Sequence, residues 1–385
     1  MGEIVLPNYH GGSIVNLMSS ISHSFGVKNP YEELKILPSS EINKKNIILL
    51  VIDGMGFEYL KNQKNSILNE NLQGEMTSVF LPTTACAIPT FLTGFPPQQH
   101  GLTGWFMFLK ELGSVIVPLR FSTRDGHDLD DANVDFKDIF NQNSFANKIK
   151  AKTYYINPND VTKAKLSNYV SSKSKILPFS TITGLFTQIK KAVKSNNKKK
   201  YIYAYSNLFD ELCHRYGTES KKTISHFNEI NKKLRSFVKS IRGTDTLLII
   251  TADHGFINSS KKEVIDLKDH PKLKECLTLP LCGESRVCYC YVHPDKTQDF
   301  ENYVKTNLSK YCDIHKSSDL IKQNYFGLFE PNPHLADRVG DYTLICKENY
   351  LIKDSILGKK STIHKGNHGG VSRNEMIVPL VVIGC

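Results

Sequence analysis

Asp53, Asp210, His214, Asp253, His254 and His368 are the side chains of this 385-residue chain whose types and settings could do chemistry together. Asp53 closes the apolar run NIILLVI and is followed by glycine. Asp253 and His254 follow TLLIITA in the same way. Asp210 and His214 stand four apart in FDELCHRYG, a spacing that puts both on one face of a helix. His368 lies in HKGNHGG, where glycines let backbone approach a ligand closely. Taken singly, each has a plain structural explanation: a strand-ending aspartate, a surface ion pair, a turn histidine. Taken together, they are imidazole and carboxylate donors of the kind zinc accepts, and a pair of ions ~3.5–4 Å apart needs about six or seven of them. Manganese accepts the same donors.

The remaining ligand would be a nucleophile. In FLPTTACAIPTFLTG a threonine follows Pro82 and precedes an apolar stretch that ends at Thr93-Gly94. A threonine there caps a helix, so that the first backbone N–H groups face an incoming phosphate. A neutral hydroxyl is a poor nucleophile, and a neighbouring dication lowers its pKa. A simple helix cap is the competing reading. Cys86 has no histidine or basic neighbour in the sequence to activate it.

Such residues need a frame that gathers them. Asn46–Ile52, Tyr201–Tyr205, Thr246–Ile250 and Ile377–Ile383 read as strands buried on both faces, and Pro379 marks the last as an edge strand. Between the second and third, Ile224, Phe227, Ile230, Leu234, Phe237 and Ile241 recur at intervals of three and four, an amphipathic helix stopped near Gly243. Strands alternating with helices predict an α/β fold, a mostly parallel sheet between helices, with ligands at the carboxyl ends of the strands. Over the whole chain, residues 1–385, the pattern predicts a single catalytic domain with two departures. Residues 102–185, turn-rich and polar, read as an insertion over the site. Residues 258–350 read as a smaller α+β lobe with a strand at Arg286–Val292 and a helix from Gln298 to Ser309.

Composition narrows the function. Hydrophobic content of 40% and charged content of 23% exclude wholesale disorder. The net charge of +11 suits an anionic substrate, but the lysine runs at Lys190–Lys200 and Lys221–Lys239 read as solvated surface. The first of these lacks interleaved aromatics, which argues against nucleic acid as a partner. Nine cysteines without a CxxC pair predict free thiols in a reducing compartment. With neither a signal peptide nor a membrane span in view, the expected location is the cytoplasm. Oligomeric state is left open.

In order, VIDGMG, LPTTACAIPTFLTG with QHG, FDELCHRYG, TADHG and GNHGG resemble the alkaline phosphatase superfamily, and within it the nucleotide pyrophosphatase/phosphodiesterase branch. The resemblance implies an alkaline-phosphatase-like sandwich holding two divalent ions, zinc by expectation. It implies that Asp53, Thr84, Asp253 and His254 hold one ion and that Asp210, His214 and His368 hold the other. Thr84 is preferred over Thr83 because it stands nine residues before Thr93, as the branch's nucleophile does. The implied reaction is in-line attack by Thr84 on a small phosphate ester, a nucleotide or similar diester being the leading class, through a phosphothreonine that water then releases. The sulfatase motif is absent, since Cys86-Ala87-Ile88-Pro89-Thr90 lacks its arginine. A phosphomonoesterase is the alternative within the class. A non-catalytic metal- or nucleic-acid-binding protein is the alternative outside it.

Overall fold

The computed structural model describes residues 4–196, 198–356 and 364–385. Its central sheet has seven strands: β1 (Asn46–Ile52), β2 (Leu72–Thr77), β3 (Lys152–Ile156), β4 (Lys175–Ile176), β5 (Lys200–Ser206), β6 (Thr246–Thr251) and β7 (Ile377–Gly384). Their spatial order is β2-β7-β6-β1-β5-β3-β4. Every residue of β1, β5 and β6 is buried, as their unbroken apolar runs require of strands covered on both faces. These three pair in parallel with β1 in the middle, Ile52 opposite Ser206 and Val51 opposite Thr251. Their carboxyl ends therefore finish level.

Helices cover this sheet. They include α1 (Thr84–Thr93), α2 (Leu208–Tyr216) and α3 (Lys221–Ser240). The 20-residue α3 starts at Ser220, whose hydroxyl accepts the Thr223 N–H at 3.1 Å. Phe227, Ile230, Leu234 and Phe237 form its buried stripe, whereas Ile224, one turn earlier, stays 39% exposed. The periodicity thus extends one residue beyond the face that is covered.

Two sequence expectations need correction. β7 is not an edge strand: it lies between β2 and β6, antiparallel to both. Pro379 is tolerated because pairing with β6 begins only at Val381, after a register shift between Leu380 and Val381. Second, residues 102–185 do not all lie outside the core. Met107–Leu109, Ser114–Val117 and Ser122–Thr123 form a small antiparallel sheet, but β3 and β4 from the same stretch extend the central sheet. The run Thr153-Tyr154-Tyr155-Ile156 has the β-branched and aromatic residues that suit such a strand. The threonine just after Pro82, Thr83, is the cap residue of α1 as expected, and Thr84 is the first helical one.

A four-stranded antiparallel sheet comes from residues 282–346, in the order Cys282–Gly283, Val287–Cys290, Tyr342–Cys346, Cys312–Lys316. Val287–Cys290 shows why its residues alternate. Val287 and Tyr289 pack into the main core, while Cys288 and Cys290 face a second cluster around Phe300, Val304 and Leu344. The expected helix there runs Thr297–Tyr303 and continues as a wider turn over Val304–Leu308. All nine cysteines are free, and all but Cys385 are buried.

Candidate active site

Asp53 follows β1, Asp253 and His254 follow β6, and Asp210 sits in the first turn of α2 just after β5. Because those strands end level, the four side chains meet above the middle of the sheet. Gly54 makes the turn after Asp53 with φ +73°, and its N–H donates to Asp253 Oδ1 at 3.0 Å. A Cβ at Gly54 would lie 2.4 Å from the Phe256 ring, so both the backbone angle and the space require glycine. His214 stands one turn along α2, its Nε2 3.5 Å from Asp210 Oδ1. His368 reaches the same point from the Gly366–Gly370 loop. Its ring stacks on His254 at 3.8 Å, and its Nε2 is 3.2 Å from His214 Nε2. All six predicted donors are thus brought together.

Their second contacts fix which imidazole nitrogen faces inward. His214 Nδ1 is 3.0 Å from the Gly366 carbonyl, His254 Nδ1 is 3.1 Å from that of Gly255, and His368 Nδ1 is 3.3 Å from that of Pro82. A carbonyl only accepts, so each Nδ1 carries the proton and each Nε2 presents a lone pair to the centre. Two such lone pairs face each other between His214 and His368. The carboxylates are equally unmet: Asp53 Oδ1, Asp210 Oδ1 and Asp253 Oδ2 are buried without a hydrogen-bond partner. Asp53 Oδ1 and Asp253 Oδ2 nevertheless lie 3.3 and 3.5 Å from His254 Nε2. Converging acceptors with no donor between them fit cations. Two groups are compact enough to hold an ion, Asp53 with Asp253 and His254, and Asp210 with His254 and His368; they overlap at His254, and His214 lies just outside both.

Electrostatics tell the same story. Burial, and then the charges of Asp253 and Asp210, hold the Asp53 carboxyl well above the usual range. Burial and Asp253 do the same to Asp210. Burial, then His364, pushes the His214 imidazole down to about 3, and burial with His254 and His214 pushes His368 well below its usual value. The metal-free chain thus strains to keep its acids protonated and its imidazoles neutral. A dication in their midst relieves both.

Thr84 Oγ1 lies 3.3 Å from His254 Nε2 and 3.5 Å from Asp53 Oδ2. It opens α1, whose first N–H groups have no side-chain cap, since the Thr83 hydroxyl instead donates to Glu284 Oε1 at 2.6 Å. Pro89 lies inside the helix, which continues to Thr93, and a fully buried His100 contacts the Cys86 carbonyl at 3.1 Å. The Cys86 thiol is buried and pushed upward by that burial, which makes it a poor nucleophile.

Sequence reasoning missed four residues at the site. The Tyr205 hydroxyl donates to Asp53 Oδ2 from the end of β5. The His364 ring centroid is 4.7 Å from that of His214. Glu284 and Lys353 arrive from distant chain positions and line a cleft with Thr84. Of these only His364 had a visible signal, its place in HKGNHGG. Burial raises the Glu284 carboxyl to about 7 against the pull of the Thr83 hydroxyl.

Two clefts open from Thr84. One, about 480 Å³, is lined by Trp105, Arg120, Arg124, Glu284 and Lys353. The other, about 940 Å³, is lined by Asp53, Ile88, Leu119, Tyr155, Asn157 and Tyr205. Both include Asp210, His214 and His364.

A mostly parallel sheet between helices, with a carboxylate–histidine cluster at its strand ends, is the architecture of the alkaline-phosphatase-like phosphoesterases. Residues 47–371 match type I phosphodiesterase / nucleotide pyrophosphatase, and the chain belongs to that family. It is accordingly a metal-dependent phosphoester hydrolase of the phosphodiesterase type. The fold is similar to murine ectonucleotide pyrophosphatase / phosphodiesterase 5, with TM-score 0.67, 17% identity and 87% of each chain covered. An inactive form of that protein in complex with AMP gives TM-score 0.66 at the same identity and coverage. Phosphonoacetate hydrolase from Sinorhizobium meliloti, in complex with phosphonoformate, gives TM-score 0.62 and 16% identity over 87% of this chain and 89% of its own. No curated protein matches the sequence. Among the described residues no helix is long and apolar enough to cross a membrane.

Proposed function

We propose that the chain is a two-zinc phosphodiesterase or nucleotide pyrophosphatase with Thr84 as nucleophile. The observation that carries this is the position of the Thr84 hydroxyl, within 3.5 Å of both Asp53 and His254 at the point where two clefts meet. Asp53, Thr84, Asp253 and His254 would hold one ion, and Asp210, His214 and His368 the other. Bound there, the ions supply Lewis acidity, lowering the pKa of the hydroxyl and offsetting negative charge on the phosphoryl oxygens.

The protein's own groups do the rest. Tyr205 orients Asp53, and three backbone carbonyls fix the imidazole tautomers. The uncapped start of α1 offers N–H groups to the phosphoryl oxygens. Thr84 attacks phosphorus in line, and the ester bond to the leaving alcohol or phosphate breaks. The phosphoryl group, still carrying its other substituent, is left esterified to Thr84, and water then hydrolyses that bond to return the free hydroxyl and a phosphate monoester. Two clefts at one nucleophile suit a substrate with a group on each side of phosphorus, and the AMP complex of a fold relative supports a nucleotide as one of them. A monoester would fill one cleft only.

The test is metal analysis of the purified protein with turnover of bis-nitrophenyl phosphate and nitrophenyl phosphate. About two ions per chain and faster diester hydrolysis are expected. A clear monoester preference would reverse the order of the two readings.

A further inference from the structure

Thr83, the residue before the nucleophile, is of the type that ordinarily closes a helix start. Its backbone is extended, with φ −143° and ψ 151°, and its carbonyl accepts the Cys86 and Ala87 N–H groups at 3.0 and 2.9 Å. A threonine so placed normally turns its hydroxyl to the N–H of the second or third helical residue, here Ala85 or Cys86. Thr83 does not. It is wholly buried, and its hydroxyl donates to Glu284 Oε1 at 2.6 Å. The Thr84 and Ala85 N–H groups are left without an acceptor among the described residues. The same end of α1 brings the Thr84 hydroxyl within 3.5 Å of Asp53, whose Oδ1 is buried and unmet. Free donors on one side and unmet acceptors on the other suit a phosphoryl group lying between the helix start and bound cations.

Glu284 is fixed in place by the small antiparallel sheet. It lies in the turn between Cys282–Gly283 and Val287–Cys290, and its N–H donates to the Val287 carbonyl at 2.8 Å. Gly283 before it takes φ +79° and exchanges two backbone hydrogen bonds with Phe106, at 2.7 and 3.1 Å. A Cβ on Gly369, next to His368, would lie 2.9 Å from the Glu284 Cβ and Cγ, so this side chain packs against the loop that carries that histidine. The small sheet thus reaches the residue before the nucleophile and takes away the cap of its helix.

We infer that Glu284 is a positioning residue: it holds the Thr83 hydroxyl off the start of α1, leaving the Thr84 and Ala85 N–H groups to the oxygens of the phosphoryl group that Thr84 attacks. This rests on Thr84 being the nucleophile. Without the carboxylate, the buried hydroxyl turns to the helix start, because a buried polar group left unmet is costly, and it then competes with phosphate for the same donors.

The experiment measures kcat/KM on the faster of bis-nitrophenyl phosphate and nitrophenyl phosphate. It is run on the full chain, on Glu284→Met, on Glu284→Gln, and on Glu284→Met combined with Thr83→Val. Glu284→Met keeps the packing against Gly369 and removes the acceptor. It should lower kcat/KM about threefold to thirtyfold, the range spanned by one helix-cap hydrogen bond. Glu284→Gln retains an acceptor oxygen and should recover most of the loss. The double variant has no hydroxyl to cap with and should recover as well, which a merely structural role for Glu284 does not allow. A loss under about twofold in Glu284→Met, an equal loss in Glu284→Gln, or a double variant no better than Glu284→Met overturns the inference. Should Glu284→Met not fold, Glu284→Ala replaces it in both arms. Should the wild-type chain hydrolyse neither compound, the proposed function fails. The inference is then read by titration with inorganic phosphate, followed by the fluorescence of Trp105, the single tryptophan, which lines both clefts. Weaker affinity in Glu284→Met that returns in the double variant sustains it; equal affinity throughout, or no binding to the wild type, overturns it.

Discussion

Two buried clusters of charge lie close together in this protein and are built on opposite terms. At the ends of β1, β5 and β6, carboxylate oxygens of Asp53, Asp210 and Asp253 are buried and unmet. At the junction with the small sheet, Arg286 and Glu375 are just as deeply buried but fully engaged. Arg286 Nε and Nη2 each donate to Glu375 at 3.0 Å, and Glu375 also accepts the Gly370 N–H at 2.8 Å and the Ser372 hydroxyl at 2.6 Å. The second cluster is self-sufficient and ties the small sheet to the loop that carries His368. The first is complete only with something added. Unmet buried acceptors mark a binding site, whereas satisfied ones mark a joint.

This contrast can be broken by substitution. The largest effect expected is on turnover: Thr84→Ala should lower kcat by at least about a thousandfold, as removal of a nucleophile does, with ion content near the wild-type value. A Thr84→Ala protein of full activity, assayed on bis-nitrophenyl phosphate, would remove the covalent route. At the joint, Arg286→Ala should cost about 3–5 kcal/mol in denaturant unfolding, because Glu375 is left buried and unpaired. A cost below about 1 kcal/mol would show that the joint is not what holds the small sheet in place.

Asp210→Asn tests the other cluster and should behave oppositely. Its ion content should fall, measured by elemental analysis, while the metal-free chain should be no less stable than wild type, since an amide removes one of three mutually repelling acids. Loss of stability equal to that of Arg286→Ala would erase the distinction between the clusters. The smallest effect concerns Glu284. Its carboxyl is raised to about 7, so the folded chain keeps a proton that the unfolded chain gives up at lower pH. Stability from this group is therefore present at low pH and lost as pH rises towards that value. Glu284→Gln should gain about 1–2 kcal/mol over wild type at about pH 8 and little at about pH 5, read from unfolding midpoints.

Much of the donor set was legible because it is written in short range. Each of Asp53, Asp210, Asp253 and His254 stands within a few residues of a strand end, and the strands announce themselves as apolar runs. The helical spacing of Asp210 and His214 is equally local. The placement of β7 was misread for the opposite reason. A proline forbids only the bond its own nitrogen would make, and whether a neighbour claims that bond depends on where pairing with β6 begins. The same limit hid β3 within a polar stretch, since the residues around it belong to a surface loop and a crossover.

By itself, the sequence determined the strands, the helix faces and which side chains stand at their ends, because these follow from residue type and a period of two or of three to four. Only the tertiary structure decided what those ends meet. Parallel register set Asp53 between Asp210 and Asp253, and the joint at Arg286 brought Glu284 and Lys353 to a nucleophile about 200 and 270 residues away in the chain. Local chemistry cannot carry that information, since a side chain's partners across such distances are fixed by packing of whole elements and leave no periodic trace in the chain.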